Sequence, residues 1–344
     1  MINKNFVLSS LEKNPEYYDD VISLIEDQFH YEHNHKFEID FAPLVNPNNF
    51  ENCLIIIDKT NRELAAHLGF VKKNFIFQQH ELPTILIGGI ATKKKYQGNK
   101  LFSELISHCF SINLQVGLFL LWSEIQGLYE KFGFTRTGAI LETGKNVITD
   151  ENIPEGYRKT KFHLLSGPEF LEIQKLYTQQ LEKKLFTIKR TPKDWDCIQQ
   201  MSSVDLYIKK NELNEIIAYF CYGKGNDLKQ VIHEFVAIDF KTEIKLLEVF
   251  KLWLTENYLT EYPNHQLQYN AFFKIGNIEP LNEFLSTTGL IIQKYNHPEI
   301  SIQFQNQQYN LNYVDFLNGL FGPNPLAEFK SMNLFPYISG LDSI

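Results

Sequence analysis

A basic segment with one glycine lies between two regular elements in the first half of the chain. It reads KKKYQGNK, from Lys93 to Lys100. The residues before it, Thr84 to Ala91, are β-branched and apolar and predict a strand. A loop that opens a helix directly after a strand presents free backbone N–H groups and the positive end of the helix dipole, so the segment predicts an anion site, most naturally for phosphate. The helix is indicated by apolar residues at helical spacing, namely Leu101, Phe102, Leu105, Ile106, Cys109 and Phe110.

Three further features surround this loop. Gly88 and Gly89 lie inside the preceding strand, where glycine usually marks a bulge or a close approach to the backbone. A second apolar strand is predicted at Gly117–Trp122. A short helix is predicted in the segment LYEKFGF, which runs from Leu128 to Phe134. Without further information, a generic α/β crossover with an empty loop would also fit this order.

The order of strand, Gln97-Gly98-Asn99 loop, helix, strand and LYEKFGF resembles the core of the GCN5-related N-acetyltransferases (GNAT). The resemblance is close from Pro83 to Gly138 and looser over the rest of the first half. It implies an α/β fold with a mixed sheet, acetyl-CoA as cosubstrate and acetyl transfer to an amine. The rival interpretation is a CoA-binding or ligand-sensing protein on the same scaffold, without turnover.

The resemblance also implies which residues hold acetyl-CoA. Backbone N–H groups near Ile90, Ala91 and Thr92 would align the pantetheine in a V-shaped gap between two splayed parallel strands. The family usually has glycine, then glycine or alanine, at the two later loop positions, where this chain has Lys100 and Phe102. The charge of Lys100 could partly compensate for the missing glycines. The pyrophosphate would lie at the loop and the first helical turn, namely at Gln97, Gly98, Asn99, Lys100, Leu101 and Phe102.

Candidate catalytic side chains follow the second splayed strand. The tyrosine of the family segment is often the acid that protonates the leaving thiolate, which implies that role for Tyr129; a core tyrosine is the alternative. Ser123 and Glu124 come just after the strand and could order a water molecule or take up the amine proton. His67, in an earlier predicted strand, is expected to be a core histidine rather than a catalyst.

The composition limits the partners. The chain has 344 residues, enough for two domains, and 44% of them are hydrophobic, which indicates a globular protein with a core. The net charge of −8 argues against nonspecific nucleic-acid binding and against an anionic membrane surface. It is compatible with a small-molecule or peptide amine as substrate, although acidity for solubility explains it equally well.

Two residue types bear on cellular compartment and metal binding. The four cysteines are scattered without a CxxC motif, and no apolar run is long enough to span a membrane, so a cytoplasmic protein with reduced thiols is expected. Three histidines in HYEHNHK, residues 30–36, have a spacing that permits a metal ion. A polar loop is the preferred interpretation, and no metal cofactor is predicted.

The element order of the first half recurs after residue 186. Phe186–Ile188 matches a first strand at Phe6–Leu8, and Thr191-Pro192 opens a helix as Asn14-Pro15 does. The equivalent of the phosphate loop, Asp239–Thr242, has no glycine and should not bind CoA. We therefore predict tandem GNAT-like copies, the second one degenerate; an unrelated α/β domain is the alternative. The predicted organisation is a catalytic domain at 1–165, a connector helix at 166–185, the second copy at 186–305 and a tail at 306–344 that packs on the body.

The acceptor amine is expected in the cleft between the two copies. A charged pair inside an apolar strand needs partners, and His233 and Glu234 form such a pair. Adjacent strand residues face opposite sides of a sheet, so the second copy would contribute either Glu234 or His233 to the cleft. The apolar end of the chain, FPYISGLDSI, is expected to close the same groove. The sequence does not indicate the acceptor, the preferred acyl chain or the oligomeric state.

Overall fold

The structure is a computed structural model that describes residues 4–125, 127–140, 153, 155–184, 186–226, 228–229, 231–239, 268–332 and 334–344. The strands of the first half are β1 (Phe6–Ser10), β2 (Cys53–Asp58), β3 (Glu63–Phe77), β4 (His80–Thr92), β5 (Leu118–Trp122), β6 (Thr135–Ile140) and β7 (Tyr157–Thr160). The helices of this half are α1 (Tyr18–Phe29), α2 (Phe37–Asp40), α3 (Ala42–Val45) and α4 (Leu101–Ile112). Short 3-10 turns lie at Pro15–Tyr17, Pro47–Asn52, Lys94–Tyr96, Glu130–Phe132 and Phe162–Leu164.

The second half contains more strands than helices among its described residues. Its helices are α5 (Gly167–Lys184), α6 (Pro192–Gln200), α7 (Ile278–Ser286) and α8 (Tyr313–Phe321), with a 3-10 turn at Lys330–Met332. Its strands are β8 (Phe186–Lys189), β9 (Asp205–Lys210), β10 (Ile216–Tyr222), β11 (Ile232–Ala237), β12 (Gln268–Ile275), β13 (Leu290–Asn296), β14 (Glu299–Phe304), β15 (Gln307–Asn312) and β16 (Pro336–Tyr337).

One large mixed sheet organises the molecule. Its main order is β1-β2-β3-β4-β5-β12-β6, and β8 joins it by pairing with β3 and with β16. Strands β1 to β4 form an antiparallel meander, whereas β4 and β5 are parallel. The parallel pair has α4 as its crossover, in agreement with the predicted strand–loop–helix–strand order. The predicted mixed α/β fold is thus confirmed.

The two halves exchange strands. β12, from the second half, lies between β5 and β6 and is antiparallel to both. In the other direction, β7 pairs with β9 in a second sheet of order β11-β10-β9-β7. β8, which was expected to match β1 in a second copy, pairs with β3 instead of β9. The sheets therefore do not follow a division at residues 165 and 186, because long-range pairing places strands of each half in the sheet of the other.

The two faces of the large sheet carry different cores. On one face, α4 packs through Leu101 and Leu105 against strand residues such as Leu68 and Ile85. The other face is covered by α1 and α3, which contribute Ile25 and Leu44 to a separate cluster. A third cluster joins both halves, and it includes Leu86, Leu120, Phe186, Phe273 and Phe321. Burial of these side chains from both halves links the exchanged strands into one structure.

The local sequence accounts for several helix ends. Thr191 and Asp194 form a capping box at the start of α6: the Asp194 N–H donates to the Thr191 hydroxyl, and the Asp194 carboxylate accepts from the Thr191 N–H. Lys73 of β3 is buried and donates to the same carboxylate, which ties α6 to the large sheet. Strand β7 ends at Thr160, and the chain then forms a 3-10 turn from Phe162 to Leu164. Residues 240–242 of the predicted degenerate loop lie outside the described residues.

None of the helices that the structure describes is long and apolar enough to cross a membrane. The four cysteines are free thiols; Cys53, Cys109 and Cys221 are buried and Cys197 is half-buried.

Candidate active site

A gap between β4 and β5 opens near the centre of the large sheet. The last parallel pair is Ile87 with Leu121. Beyond it, β4 continues to Thr92 without a partner in the described part of β5, which ends at Trp122. The strands thus separate as the family resemblance implies. The extension of β4 carries the predicted pantetheine-binding residues Ile90, Ala91 and Thr92.

A bulge in the pairing of β3 and β4 lies at the mouth of this gap. Gly88 pairs with Gly69, whereas the next registered pair is Ala91 with His67. Two residues of β4 therefore oppose one residue of β3, and Gly89 adopts φ +57° at the bulge. The glycines inside the predicted strand mark this irregularity, as the sequence indicated.

The loop before α4 has the features of an anion site. Gly98 adopts φ +84°, and a Cβ at this position would meet nothing within 4 Å. Lys100, at the N-cap, adopts the left-handed conformation with φ 60° and ψ 20° and makes no side-chain cap hydrogen bond. The first N–H groups of α4 are thus left for a ligand, so these residues fit a phosphate group. Leu101 is buried, Phe102 is half-buried, and the remaining loop positions are exposed, namely Gln97, Gly98, Asn99 and Lys100.

The side chains of this loop are partly held by carboxylates from the neighbouring strands. Glu63 accepts hydrogen bonds from Lys93, at 3.0 Å, and from Lys95. These two lysines hold the pKa of the Glu63 carboxyl at about 2. Tyr96 is buried beneath the loop, and its hydroxyl donates to Asp58 at 2.9 Å. These contacts fix the loop on the sheet.

The predicted acid lies in an aromatic cluster on the α4 face. Tyr129 is buried, with its ring centroid 5.7 Å from that of Phe102, 6.3 Å from that of Phe134 and 5.4 Å from that of Phe272. Burial raises the pKa of the Tyr129 phenol, and a hydrogen bond with Ser123 partly offsets this. The phenol is therefore protonated at neutral pH, as a proton donor must be.

The structure brings Ser123 and Tyr129 together but leaves Glu124 apart from them. Ser123 is half-buried after β5, and its hydroxyl accepts from the Ile125 N–H at 3.0 Å. Glu124 is exposed at the next position. Phe272 belongs to β12, so the second half contributes directly to the surroundings of Tyr129 through strand exchange. No local sequence pattern indicates this contribution, because β12 lies far along the chain from β5.

Residues 12–137 match a family model described as "Acetyltransferase (GNAT) domain". The match includes the bulge, the gap, the loop and Tyr129. The chain contains a GNAT domain. The resemblance predicted from the loop and the LYEKFGF segment is thereby confirmed.

Solved structures resemble the chain well beyond the GNAT domain. A GCN5-related N-acetyltransferase from Anabaena variabilis has a TM-score of 0.61 at 14% identity, with 98% of this chain and 100% of that chain covered. A probable N-acyltransferase from Enterococcus faecalis has a TM-score of 0.55 at 13% identity, covering 81% of this chain and 74% of that chain. Saccharomyces cerevisiae N-myristoyltransferase with bound myristoyl-CoA has a TM-score of 0.53 at 13% identity and covers 80% of each chain. At these identities the likeness establishes the fold alone. No curated protein sequence matches the chain.

Glu234 lies in a buried ion cluster of the second half. It is fully buried and accepts hydrogen bonds from Arg190, at 3.1 Å from Nη1, and from the Tyr219 hydroxyl at 2.7 Å. Arg190 also binds Asp342 of the C-terminal segment. Burial alone would raise the pKa of the Glu234 carboxyl, but Arg190 holds it below its usual value. These contacts occupy the Glu234 carboxylate within a core instead of presenting it to a cleft.

The last residues of the chain reach the GNAT domain. A Cβ added to Gly88 would lie 2.8 Å from both the carbonyl carbon and the oxygen of Ile344. Lys224, which is fully buried, donates to the backbone oxygens of Gly340, at 2.7 Å, and Ser343, at 3.0 Å. The tail therefore packs across the body, beside the bulge at the mouth of the gap. The apolar residues of FPYISGLDSI indicated that this segment packs, but its position against Gly88 depends on contacts that no local pattern encodes.

Proposed function

We propose that the protein is an N-acyltransferase that transfers the acetyl group of acetyl-CoA to an amine. The observation that carries this proposal is the placement of three features around one gap: the separation of β4 from β5, the uncapped start of α4 and the buried Tyr129. Backbone groups of Ile90, Ala91 and Thr92 would align the pantetheine, and Gln97 to Phe102 would hold the pyrophosphate. When bound, acetyl-CoA supplies an acyl group activated as a thioester.

The side chains of the chain have separate tasks in this proposal. Tyr129 donates its hydroxyl proton to the departing sulfur, and the aromatic side chains around it exclude water. Ser123 orients the phenol through their hydrogen bond. Glu124, exposed at the end of β5, is positioned for an approaching cationic acceptor, in which case its role is attraction instead of proton transfer.

The second half serves the acceptor side in this proposal. We take it as a degenerate GNAT-like copy at 186–305, connected to a catalytic domain at 1–165 by a helix at 166–185 and followed by a tail at 306–344. The β9-β10-β11 meander matches the β2-β3-β4 meander in order and direction, which supports two copies. The acceptor would bind where the tail and the exchanged β12 border the gap. In this arrangement Glu234 stabilises the tail from within the core and does not contact the acceptor.

A second candidate function is CoA binding without turnover. Phe102 favours it, because the family has a small residue at this position and here the ring packs against Tyr129 and Phe132. A bulky ring in the first turn of α4 narrows the approach of the pantetheine to the phenol.

One experiment separates the two functions. The full chain is incubated with acetyl-CoA and an amine panel of spermidine, tyramine, lysine and a short lysine-containing peptide, and free thiol is measured. Amine-dependent release of CoA supports the transferase. CoA binding by calorimetry without thiol release from any amine supports the binding protein. Gly98→Asp, which places a carboxylate in the phosphate loop, should abolish CoA binding under either function.

A further inference from the structure

Three glycines on β3 and β4 lie beneath the ring of His67 and the main chain of Ile344. A Cβ added to Gly69 would lie 3.2 Å from Cε1 of His67, and one added to Gly89 would lie 3.3 Å from the same atom. A Cβ at Gly88 would lie 2.8 Å from the main chain of Ile344. We call these three residues the glycine floor. Because they lack side chains, the His67 ring and the end of the tail lie directly against the backbone of the bulge.

The two ring nitrogens of His67 have different surroundings. Nδ1 lies 2.7 Å from the carbonyl oxygen of Gly89. A carbonyl oxygen can only accept, so Nδ1 carries the hydrogen and Nε2 carries a lone pair. The ring is fully buried, and Nε2 has no hydrogen-bond partner among the residues that the structure describes. A buried acceptor without a partner destabilises the fold, so its presence calls for an explanation.

His67 lies on the face of the sheet opposite to Tyr129. The Cβ positions of the glycine floor that face His67 also face Leu44 and Ile25, which belong to the core cluster under α1 and α3. Tyr129 belongs to the cluster under α4. An acyl group held in the gap between β4 and β5 would thus have a proton donor on one face and a lone pair on the other. Acyl transfer to an amine uses both kinds of group, because one proton is delivered to sulfur and another is removed from nitrogen.

We propose that Nε2 of His67 is the group that removes the proton from the acceptor amine, a role that rests on the proposed N-acyltransferase function. As the amine nitrogen bonds to the acyl carbon and the carbon–sulfur bond breaks, the amine proton passes to Nε2. The sulfur takes the hydroxyl proton of Tyr129. Solvent then removes the proton from the imidazolium and returns one to the phenolate, so the protein is regenerated and the products are an amide and a thiol.

The electrostatic state of the ring agrees with this role. Burial lowers the pKa of His67 to about 4, against the opposing effect of its hydrogen bond to Gly89, so the ring is neutral at pH 7. A neutral imidazole can accept a proton. Although the base is weak, an amine nitrogen that is bonding to an acyl carbon is a much stronger acid than the free amine, so a weak base suffices.

Access to Nε2 defines where the acceptor enters. The groups that contact the glycine floor from above are Ile25, Leu44 and Ile344. Ile25 and Leu44 are buried members of one core cluster, whereas Ile344 is half-buried and packs at its edge. The acceptor would therefore reach His67 by displacing Ile344, the least buried of the three.

The direct test is a nitrogen NMR titration of the full chain labelled with ¹⁵N in histidine. The probes are CoA alone and CoA with n-butylamine. We expect the Nε2 signal of His67 to shift only when the amine is added. His233 is the internal control, because it is half-buried, has Nε2 3.2 Å from the carbonyl oxygen of Gly223, and its buried Nδ1 has no hydrogen-bond partner among the described residues. An unchanged Nε2 signal, or equal shifts of both histidines, would overturn the proposal.

The kinetic test uses His67→Asn, which can keep a donor toward the Gly89 carbonyl and removes the Nε2 lone pair. We expect turnover to fall by about 10²–10⁴-fold, with CoA affinity retained and partial rescue by added imidazole. Turnover at the wild-type rate, under conditions where Tyr129→Phe is slow, would exclude His67 and leave the transferase function intact. Absence of turnover by the wild-type chain with every amine would instead exclude the transferase function, and the NMR titration would still decide whether an amine reaches His67.

Discussion

The guanidinium of Arg190 donates to both carboxylate oxygens of Asp342, with 3.0 Å from Nε to Oδ1 and 2.8 Å from Nη2 to Oδ2. The same guanidinium binds Glu234 from another side and lies 3.8 Å from the ring centroid of Tyr177. One cation thus contacts two buried carboxylates and the face of an aromatic ring. Because Asp342 is two residues from the end of the tail, this cluster holds Ile344 beside the bulge of β4.

We expect Arg190→Met to lower the free energy of unfolding by about 3–5 kcal/mol, because it leaves Glu234 and Asp342 buried without their cation. Unfolding in urea, followed by circular dichroism, measures the change. Lys229→Met is the matched control, since the ion pair of Lys229 with Glu32 is exposed. Its loss should cost about 0–1 kcal/mol. Similar losses of unfolding free energy in the two variants would show that the buried cluster does not stabilise the fold.

Gly88→Ala should displace the end of the tail, because the new methyl group would meet the main chain of Ile344. We expect a loss of turnover larger than any loss of CoA affinity, since the phosphate loop lies elsewhere. The measurement is a double-mutant cycle with deletion of Ile344, which removes the clashing group. If Gly88→Ala lowers turnover by the same factor in the shortened chain as in the full chain, the new methyl group does not contact the tail.

Tyr129→Phe should slow turnover by about 10²–10⁴-fold and leave CoA affinity nearly unchanged, because it removes the proton donor and keeps the aromatic packing. Steady-state kinetics and calorimetry measure the two effects. Tyr177→Phe is a control for loss of a buried hydroxyl, since the Tyr177 hydroxyl donates to the Ile188 carbonyl in the second half. A Tyr129→Phe protein that turns over as fast as the wild type would exclude Tyr129 as the acid.

Lys100→Gly should keep or raise thermal stability, because Lys100 adopts the left-handed conformation that costs an L-residue about 1–2 kcal/mol and glycine little. Lys100→Ala removes the same charge but keeps the strain, so it is the matched control. Equal CoA affinities for the two variants, both lower than wild type, would show that the charge matters. Tighter binding by Lys100→Gly than by Lys100→Ala would show that backbone geometry matters as well.

The sequence predicted the structural features that depend on residues close together in the chain. The strand, the loop and α4 follow from apolar spacing and a glycine-bearing turn between Thr84 and Phe110, and the bulge follows from Gly88 and Gly89. Strand exchange could not be predicted, because the pairing of β12 with β5 depends on residues far apart in the chain. The partner of Glu234 is Arg190, 44 residues away, so the pattern showed that the carboxylate needs a partner without showing which one. The core position expected for His67 agrees with its full burial, but only the three-dimensional structure shows that Nε2 has no partner among the described residues.

The burial of His67 also predicts a dependence of stability on pH. Its pKa is about 4 in the folded chain against an ordinary value of 6.5, so between these values the unfolded chain binds a proton that the folded chain does not. This contribution to stability is complete above about pH 6.5 and is lost as the pH falls toward 4. Between pH 7 and pH 5 it amounts to about 2 kcal/mol. In His67→Asn the unfolding free energy should therefore fall less over this range than in the wild type. Urea unfolding at both pH values measures the difference, and parallel losses in the two proteins would show that His67 titrates normally and is not held neutral by burial.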